Sequence, residues 1–431
     1  MTPVELLQQL IRFDTTNPPG NEAECIEFIR GLVDEAGVET EVYAREPGRP
    51  NLVARVAGKR GGRPLLLQGH VDVVPTSGQR WQRPPFGGEL VDGYVWGRGA
   101  VDMKGGVAML VSAFLRAARG EIEPAGDLII VVLCDEEAGG DYGAKFLVED
   151  HAHLFEGVRY ALSEFGGFTL HLGGRRFYPI QVAEKQMCWL KATIRGAGGH
   201  GAMINRGGTM WRLARFLRDL DRKPLPVHVT PVAKEMLERI AAEAPQPQRG
   251  VLLSLLRPRL TDRVLPLLGT MRRTTEPLLR NTVTATIVRA GEKINVVPAE
   301  IELELDGRAL PGFGPDELMG ELREVVGSDV ELELVRHDPG PNKPDLALFD
   351  TLAGVLREVD PGGVPVPLLQ IGVTDARFFS RLGIQTYGFL PMRLPTGLDF
   401  LSLIHAADER VPADAIEFGT DAIARALERV R

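Results

Sequence analysis

The chain has 431 residues, 44% of them apolar and 25% charged, with a formal net charge of −8. That balance excludes disordered, collagen-like and disulfide-scaffold classes, and the length exceeds the roughly 250–300 residues at which single cores stop growing, so two domains are expected. The cationic runs Arg257 to Arg263 and Arg272 to Arg280 are broken by acids, prolines and leucines, which argues against a nucleic-acid partner.

The opening MTPVELLQQLIRFDTTNPPGNE reads as a short amphipathic helix followed by a Pro/Gly turn, without the basic flank and unbroken apolar stretch of a signal peptide. Apolar runs such as DLIIVVLC end after about eight residues, short of the roughly 20 that cross a bilayer, so no membrane span is expected. Cys25, Cys134 and Cys188 are far apart and show no CxxC spacing. Neither a disulfide framework nor a thiolate metal site is expected, and a reducing cytoplasmic setting fits best.

The first sheet strand is expected at Pro64 to Gln68, running into GHVDVVP, where His70 and Asp72 fall on one face of an extended chain. A carboxylate so placed can hold the second N–H of a metal-bound imidazole, the alternative being a structural histidine. In GRGAVDMKGG, Asp102 sits among glycines just before a helix expected over Gly106 to Arg119, whose apolar residues recur three and four apart. Asp102 is either a ligand or a helix cap, and the spacing matches neither a Walker loop nor a dinucleotide fingerprint.

The strand Asp127 to Cys134 delivers Asp135, Glu136 and Glu137 at its carboxyl end, where α/β folds place their sites. Three adjacent acids repel unless cations intervene. One carboxylate can bind metal while another holds the attacking water as general base, and a solvated loop is the alternative. The strand Tyr160 to Ser163 ends on Glu164 in the same manner.

Near Met187 the pattern changes, because WLKATIRG alternates apolar and polar residues as a half-exposed strand does. A helix follows over Thr209 to Asp221, then an extended run from Val296 to Asp306 and a helix over Pro315 to Val326, before HDPGPNKP returns the chain to α/β character. An inserted domain is therefore expected at 188–339, between catalytic-domain parts 1–187 and 340–431, with the Pro-, Leu- and Arg-rich segment 225–282 as a helical elaboration. A last strand is expected at Ile384 to Leu390, and SLIHAADERVP adds His405. Strands alternating with helices argue for a layered α/β fold.

His70, Asp102, Glu137, Glu164 and His405 make a candidate ligand set of two imidazoles and three carboxylates without sulfur, which suits zinc and which manganese or cobalt can also occupy. With Asp102 bridging, each of two ions has one histidine, one glutamate and the shared aspartate. His151, His153, His171, His228 and His337 are expected to be structural or exposed, and Trp81 and Trp96 to be packing residues.

Taken in order, GHVDVVP, WQRPPFGGELVDGYVWGRGAVDMKGG, DEEAGG, Glu164, GGHGAMINRGG, INVVPAEIELELDGRALPG and HAADERVP resemble the M20-type zinc peptidase and deacylase family, which includes glutamate carboxypeptidase, acetylornithine deacetylase, succinyl-diaminopimelate desuccinylase and aminoacylase. The resemblance covers nearly the whole chain. It implies a mixed-sheet α/β catalytic domain of zinc-exopeptidase type with an inserted α+β lid and dimerisation domain. It also implies two Zn2+ per subunit, one on His70, Asp102 and Glu164 and one on Asp102, Glu137 and His405, with Glu136 as the base and Asp72 supporting His70.

The same resemblance implies a homodimer through the lid, with His200 reaching a neighbouring active site to stabilise an oxyanion. Asn295, Arg308, Thr374 and Arg377 are the substrate-binding candidates, since an arginine can hold a carboxylate by two parallel hydrogen bonds, a structural ion pair being the alternative. Ile371-Gly372-Val373-Thr374-Asp375 stands where the family often has Gly-Gly-Thr-Asp. The implied function is cleavage of an amide or peptide bond beside a free carboxylate in a small substrate, by a carboxypeptidase or N-acyl-amino-acid deacylase. A biosynthetic deacylase for acetylornithine or succinyl-diaminopimelate, and a non-catalytic binding protein, are the other readings.

Overall fold

The short β-branched runs become strands of a mixed nine-stranded sheet in the computed structural model, which describes residues 1–341 and 343–430. Four neighbouring strands, Gly126–Leu133, Gly62–His70, Tyr160–Ser163 and Gln385–Gly388, run parallel. Pro50–Val56 joins antiparallel on one side, followed by Thr40–Ala44, and Arg175–Glu184 joins antiparallel on the other. A mixed α/β sheet was the expectation, and this is one.

Burial explains the continuous apolar character of the central strands. Leu66, Ile129, Val131, Leu133 and Ala161 pack with Leu147, Phe378 and Phe379 on one side. The helix Lys104–Ala118 is buried along most of its length and packs against the helices Pro3–Arg12 and Ala413–Arg429, which is why its sequence is alanine-rich rather than amphipathic. Pro3–Arg12 starts with a capping box, in which Thr2 and Glu5 exchange hydrogen bonds with each other's backbone N–H groups.

The chain divides into two compact units, one made of Met1–Val182, Pro344–Leu368 and the chain from Thr374 onward, the other of Ala183–Lys343 with Leu369–Val373. The second unit is built on a four-stranded antiparallel sheet in the order Thr282–Ala290, Glu300–Ala309, Gln186–Arg195, Glu331–Asp338. Its core joins Leu190, Ile194, Ile301, Leu303 and Leu305 to Phe216 of the helix Thr209–Arg222 and to Leu318 and Leu322 of the helix Pro315–Val326. The run expected as one strand from Val296 is split into Val296–Val297 and Glu300–Ala309, with Pro298 at the break.

Segment 225–282 is mostly short helices, including Pro231–Glu243, Gln248–Ser254 and Pro258–Val264. Within HDPGPNKP, Asn342 lies outside the described residues. Among the described residues no helix is long and apolar enough to cross a membrane.

Candidate metal centre

Three of the four parallel strands bring their carboxyl ends to one place in the first unit. His70 closes its strand and is 1% exposed. Its Nδ1 lies 3.0 Å from the carbonyl oxygen of Asp72, which only accepts, so Nδ1 carries the hydrogen and Nε2 presents its lone pair. That Nε2 has no hydrogen-bond partner among the described residues, although it lies 3.4 Å from Asp102 Oδ1 and 3.7 Å from Glu164 Oε2. A second set mirrors the first: His405 Nε2 is 3.3 Å from Asp102 Oδ2 and 3.2 Å from Glu137 Oε1.

Such spacings are longer than the roughly 2.7–2.9 Å of charge-assisted hydrogen bonds. They fit atoms sharing a small cation, since tetrahedral ligands at about 2.0–2.1 Å from zinc stand roughly 3.3 Å apart. In each triad the ligand atoms lie within 4.8 Å of one another, and Asp102 belongs to both. All five sequence-predicted ligands are thus brought together, with an orphaned imidazole nitrogen at their centre.

The electrostatics describe a site short of positive charge. Burial raises Glu136 well above the usual carboxylate range, with Glu164 adding to it. Burial likewise raises Glu137 to about 7, with Asp102 adding. For Asp102 burial acts in the same direction, but the neighbouring imidazoles of His405 and His70 outweigh it and hold the group below its usual range. Hydrogen bonds to Asp102 and Glu137 raise His405 to about 10.

Further bonds aim several of these candidate ligands. Asp72, fully buried, accepts the N–H of Glu136 on Oδ1 and that of Glu137 on Oδ2, both at 3.1 Å. The loop that carries Asp102 is gripped by Glu409, which accepts the N–H groups of Gly99, Val101 and Asp102 at 3.1, 2.7 and 3.1 Å. Arg98, 1% exposed, neutralises that buried carboxylate at 2.6 Å. His405 sits at φ 60°, its carbonyl oxygen accepting from Gln79 at 2.8 Å. Left-handed backbone at a non-glycine residue costs energy and gathers at functional sites.

Glu136 belongs to neither triad. Its Oε1 is 3.7 Å from Arg377 Nη1, and Arg377, 2% exposed, also donates to the carbonyl oxygens of Thr374 at 2.8 Å and Gly139 at 3.1 Å. Thr374 is buried, with its hydroxyl accepting the N–H of Ala376. These two substrate-binding candidates therefore brace the turn that carries Glu136.

The remaining candidates lie in the second unit. His200 and Asn295 are exposed and adjacent: His200 pairs with Val296 in a two-residue ladder, and Gly201 N–H donates to the Asn295 carbonyl. Arg308 is held by both oxygens of Asp306, at 2.8 and 3.3 Å, which leaves its buried Nη1 with no hydrogen-bond partner among the described residues. His228 carries an acidic partner 93 residues away in sequence, Glu321 at 2.6 Å, which no local spacing reveals.

Beside Asp102 and Glu164 opens a small, largely apolar cavity of about 20 Å³. Val101, Met103, Phe168, Leu390, Phe400 and Ile404 are among its walls, and among the described residues no lysine or arginine lines it. Phe165, also in the wall, is at φ 59°. Sequence reading missed this cavity, as well as Glu409, Asn17 and Arg49. Glu409 stands four residues after His405 in a motif noted only for its histidine, and Asn17 lies in a segment legible only as a turn.

A sequence model described as peptidase family M20/M25/M40 matches residues 66–429. The human N-fatty-acyl-amino acid synthase/hydrolase PM20D1 is 29% identical over 371 residues, 82% of this chain and 71% of that protein. The succinyl-diaminopimelate desuccinylase of Paracoccus denitrificans (strain Pd 1222) is 27% identical over 430 residues, 99% of this chain and 98% of that one. Among solved structures, the M20 family metallo-carboxypeptidase Sso-CP2 of Sulfolobus solfataricus superposes with a TM-score of 0.68 at 15% identity, covering 99% of this chain and 98% of that one. The Bacillus subtilis YXEP protein, a dinuclear metal-binding peptidase, gives 0.62 at 14% identity, with 99% and 96% covered.

Proposed function

The chain belongs to peptidase family M20/M25/M40 and is a metal-dependent hydrolase, and from that premise we propose that it cleaves the amide of an N-acyl amino acid, or of a peptide with a free terminal carboxylate, using two zinc ions. The observation that carries this reading is the pair of triads sharing Asp102, with Glu136 beside them and in neither. Imidazole and carboxylate ligands without sulfur support zinc, and cobalt or manganese can occupy the same set. Two such ions supply a bound water of lowered pKa and Lewis-acid polarisation of the scissile carbonyl.

The chain's own groups do the rest. Glu136 takes the proton of the attacking water and returns it to the departing nitrogen, so that carboxylic acid and free amine leave without net proton change. Arg377 and the N–H bond to Asp72 hold Glu136 in place for both transfers. Arg308, pre-oriented by Asp306, is the candidate that the family resemblance offers for holding the substrate carboxylate. His200 is the candidate oxyanion donor, acting across a homodimer of the second unit as the family resemblance implies. The three cysteines are buried and unpaired, which supports a reducing, cytoplasmic setting.

The cavity beside Asp102 and Glu164 supports an apolar acyl group. Among the described residues its lining has no lysine or arginine to pair with a carboxylate, whereas its apolar side chains suit an uncharged group. The full-length match to a desuccinylase favours a second reading, a biosynthetic deacylase for succinyl-diaminopimelate or acetylornithine. A succinyl carboxylate in that cavity would meet no lysine or arginine among the described lining residues, which counts against it.

Hydrolysis of acetyl, hexanoyl, decanoyl and succinyl amino acids with Zn2+, beside a Glu136→Ala variant, separates the two. Turnover of the longer acyl groups that vanishes in the variant is the expected result. Preference for succinyl would move the assignment to the second reading, and no turnover of any amide with two ions bound would reject both.

A further inference from the structure

Asp135 precedes the two working glutamates, yet its side chain points away from the metal triads into a buried set of polar groups. Its Oδ1 accepts from Asn17 Nδ2 and lies beside Arg49 Nη1, each at 3.1 Å, while its Oδ2 accepts the N–H of Tyr142 at 3.0 Å. Asn17 Nδ2 also donates to Asp72 Oδ2 at 2.8 Å, so one amide bridges two carboxylates that would otherwise repel. Behind Asp135, Arg49 makes a two-point pair with Glu22, at 3.2 and 2.7 Å. Asn17, Glu22, Arg49, Asp72 and Asp135 are all buried.

The set is costly. Three carboxylates share one guanidinium, one side-chain amide and three backbone N–H groups away from water, where well-packed apolar side chains often stabilise as well or better. It also constrains the segment Asn17 to Glu22, because Gly20 at φ +89° passes so close that a Cβ there would stand 2.4 Å from Arg49 Cζ. What the cost secures is visible in the backbone. Asp135 is held at φ 71°, ψ 12°, in the left-handed region, and this single residue ends the strand and swings the next two N–H groups onto Asp72. The turn then sends Glu137 to His405 and Glu136 to Arg377.

We infer that Asp135 is a positioning residue, clamped by Asn17, Arg49 and the Tyr142 N–H, which fixes the turn that separates the metal-binding glutamate from the general base. Glu22 holds Arg49 in the reach that the clamp needs. The inference rests on the assignment of Glu136 and Glu137 proposed above, so the test must read the turn without relying on turnover alone.

The test is calorimetric titration of Zn2+ into metal-stripped wild type, Asp135→Ala, Asp135→Asn and Arg49→Lys, with steady-state kinetics of each and a circular-dichroism check of folding. In Asp135→Ala one of the two binding steps, that of the ion on Glu137, is expected to weaken 10–100-fold while the other moves less than about threefold. Turnover should fall at least tenfold at nearly constant KM. Asp135→Asn, which tolerates the left-handed backbone but keeps only one acceptor oxygen, should recover part of both losses. Arg49→Lys, which keeps the charge but cannot span Glu22 and Asp135 together, should lie between.

If Asp135→Ala does not fold, the other two variants decide by the same readings. Folded variants with both binding steps and kcat unchanged would overturn the inference, as would a lowered melting temperature alone. Wild type that binds no second ion would instead defeat the assignment on which the inference rests.

Discussion

Asp102 faces His70 with one carboxylate oxygen, at 3.4 Å from Nε2, and turns the other oxygen to the second triad. A carboxylate in that position cannot be removed without opening both ion sites. Asp102→Ala is therefore expected to lower bound metal from two ions per chain to one or none, and to reduce turnover by at least about a thousandfold. Elemental analysis after equilibrium dialysis reads the first number. Retention of two tightly bound ions would show that Asp102 does not bridge.

Glu136 is the complementary case. It lies outside both triads, so Glu136→Gln should keep two ions while kcat falls by roughly 10²–10⁴, the usual contribution of general acid–base catalysis. KM should change little, because the carboxylate is needed for proton transfer rather than for binding. A variant that loses an ion along with its activity would make Glu136 a ligand instead.

Most of the candidate ligand set was legible from local signals that survive in sequence, since His70, Glu137 and Glu164 stand at or just after strand ends and Asp102 just before a helix, whereas His405 lies in a loop and was read from its motif. Supports of the set were not. Glu409 reaches the Asp102 loop across 307 residues and Asn17 reaches Asp135 across 118, so neither partnership has a period or a spacing to read. Arg377 was read as a substrate-binding candidate with a structural ion pair as the alternative, and its bond to the Gly139 carbonyl, across 238 residues, leaves no local signal. Strand and helix bounds followed apolar patterning closely, the helix Pro315–Val326 included. The break at Pro298 was overlooked because the residues on either side both carry strand character.

The cavity beside the triads predicts a chain-length dependence. Each methylene moved from water to an apolar wall contributes about 0.8 kcal/mol, so kcat/KM should rise by up to about fourfold per added carbon of a straight acyl chain until the cavity is full. Ile404 is half-buried in the wall, and Ile404→Lys places a cation there. That variant should lose the rise and gain relative activity on succinyl substrates. Equal slopes in wild type and variant would mean that the acyl group binds elsewhere.

Lys185 supplies a prediction about stability rather than catalysis. Burial, with Arg308 adding, lowers its pKa to about 7, although Nζ donates to the carbonyl oxygens of Pro277 and Arg280 and to the Thr282 hydroxyl at 3.2, 3.0 and 2.9 Å. The unfolded lysine keeps its ordinary value near 10.4. Between about pH 7 and 10 the unfolded chain therefore binds more protons than the folded one, so stability rises with pH by at most about 1.4 kcal/mol per unit; below pH 7 both forms are protonated and the contribution is flat. Lys185→Met should abolish that slope while adding a constant loss from the missing hydrogen bonds. Urea unfolding of both proteins from pH 6.5 to 9.5 measures it, and the difference between them should widen in favour of wild type as pH rises. A difference that stays level across the range would mean that the three acceptors keep Lys185 charged in the folded protein.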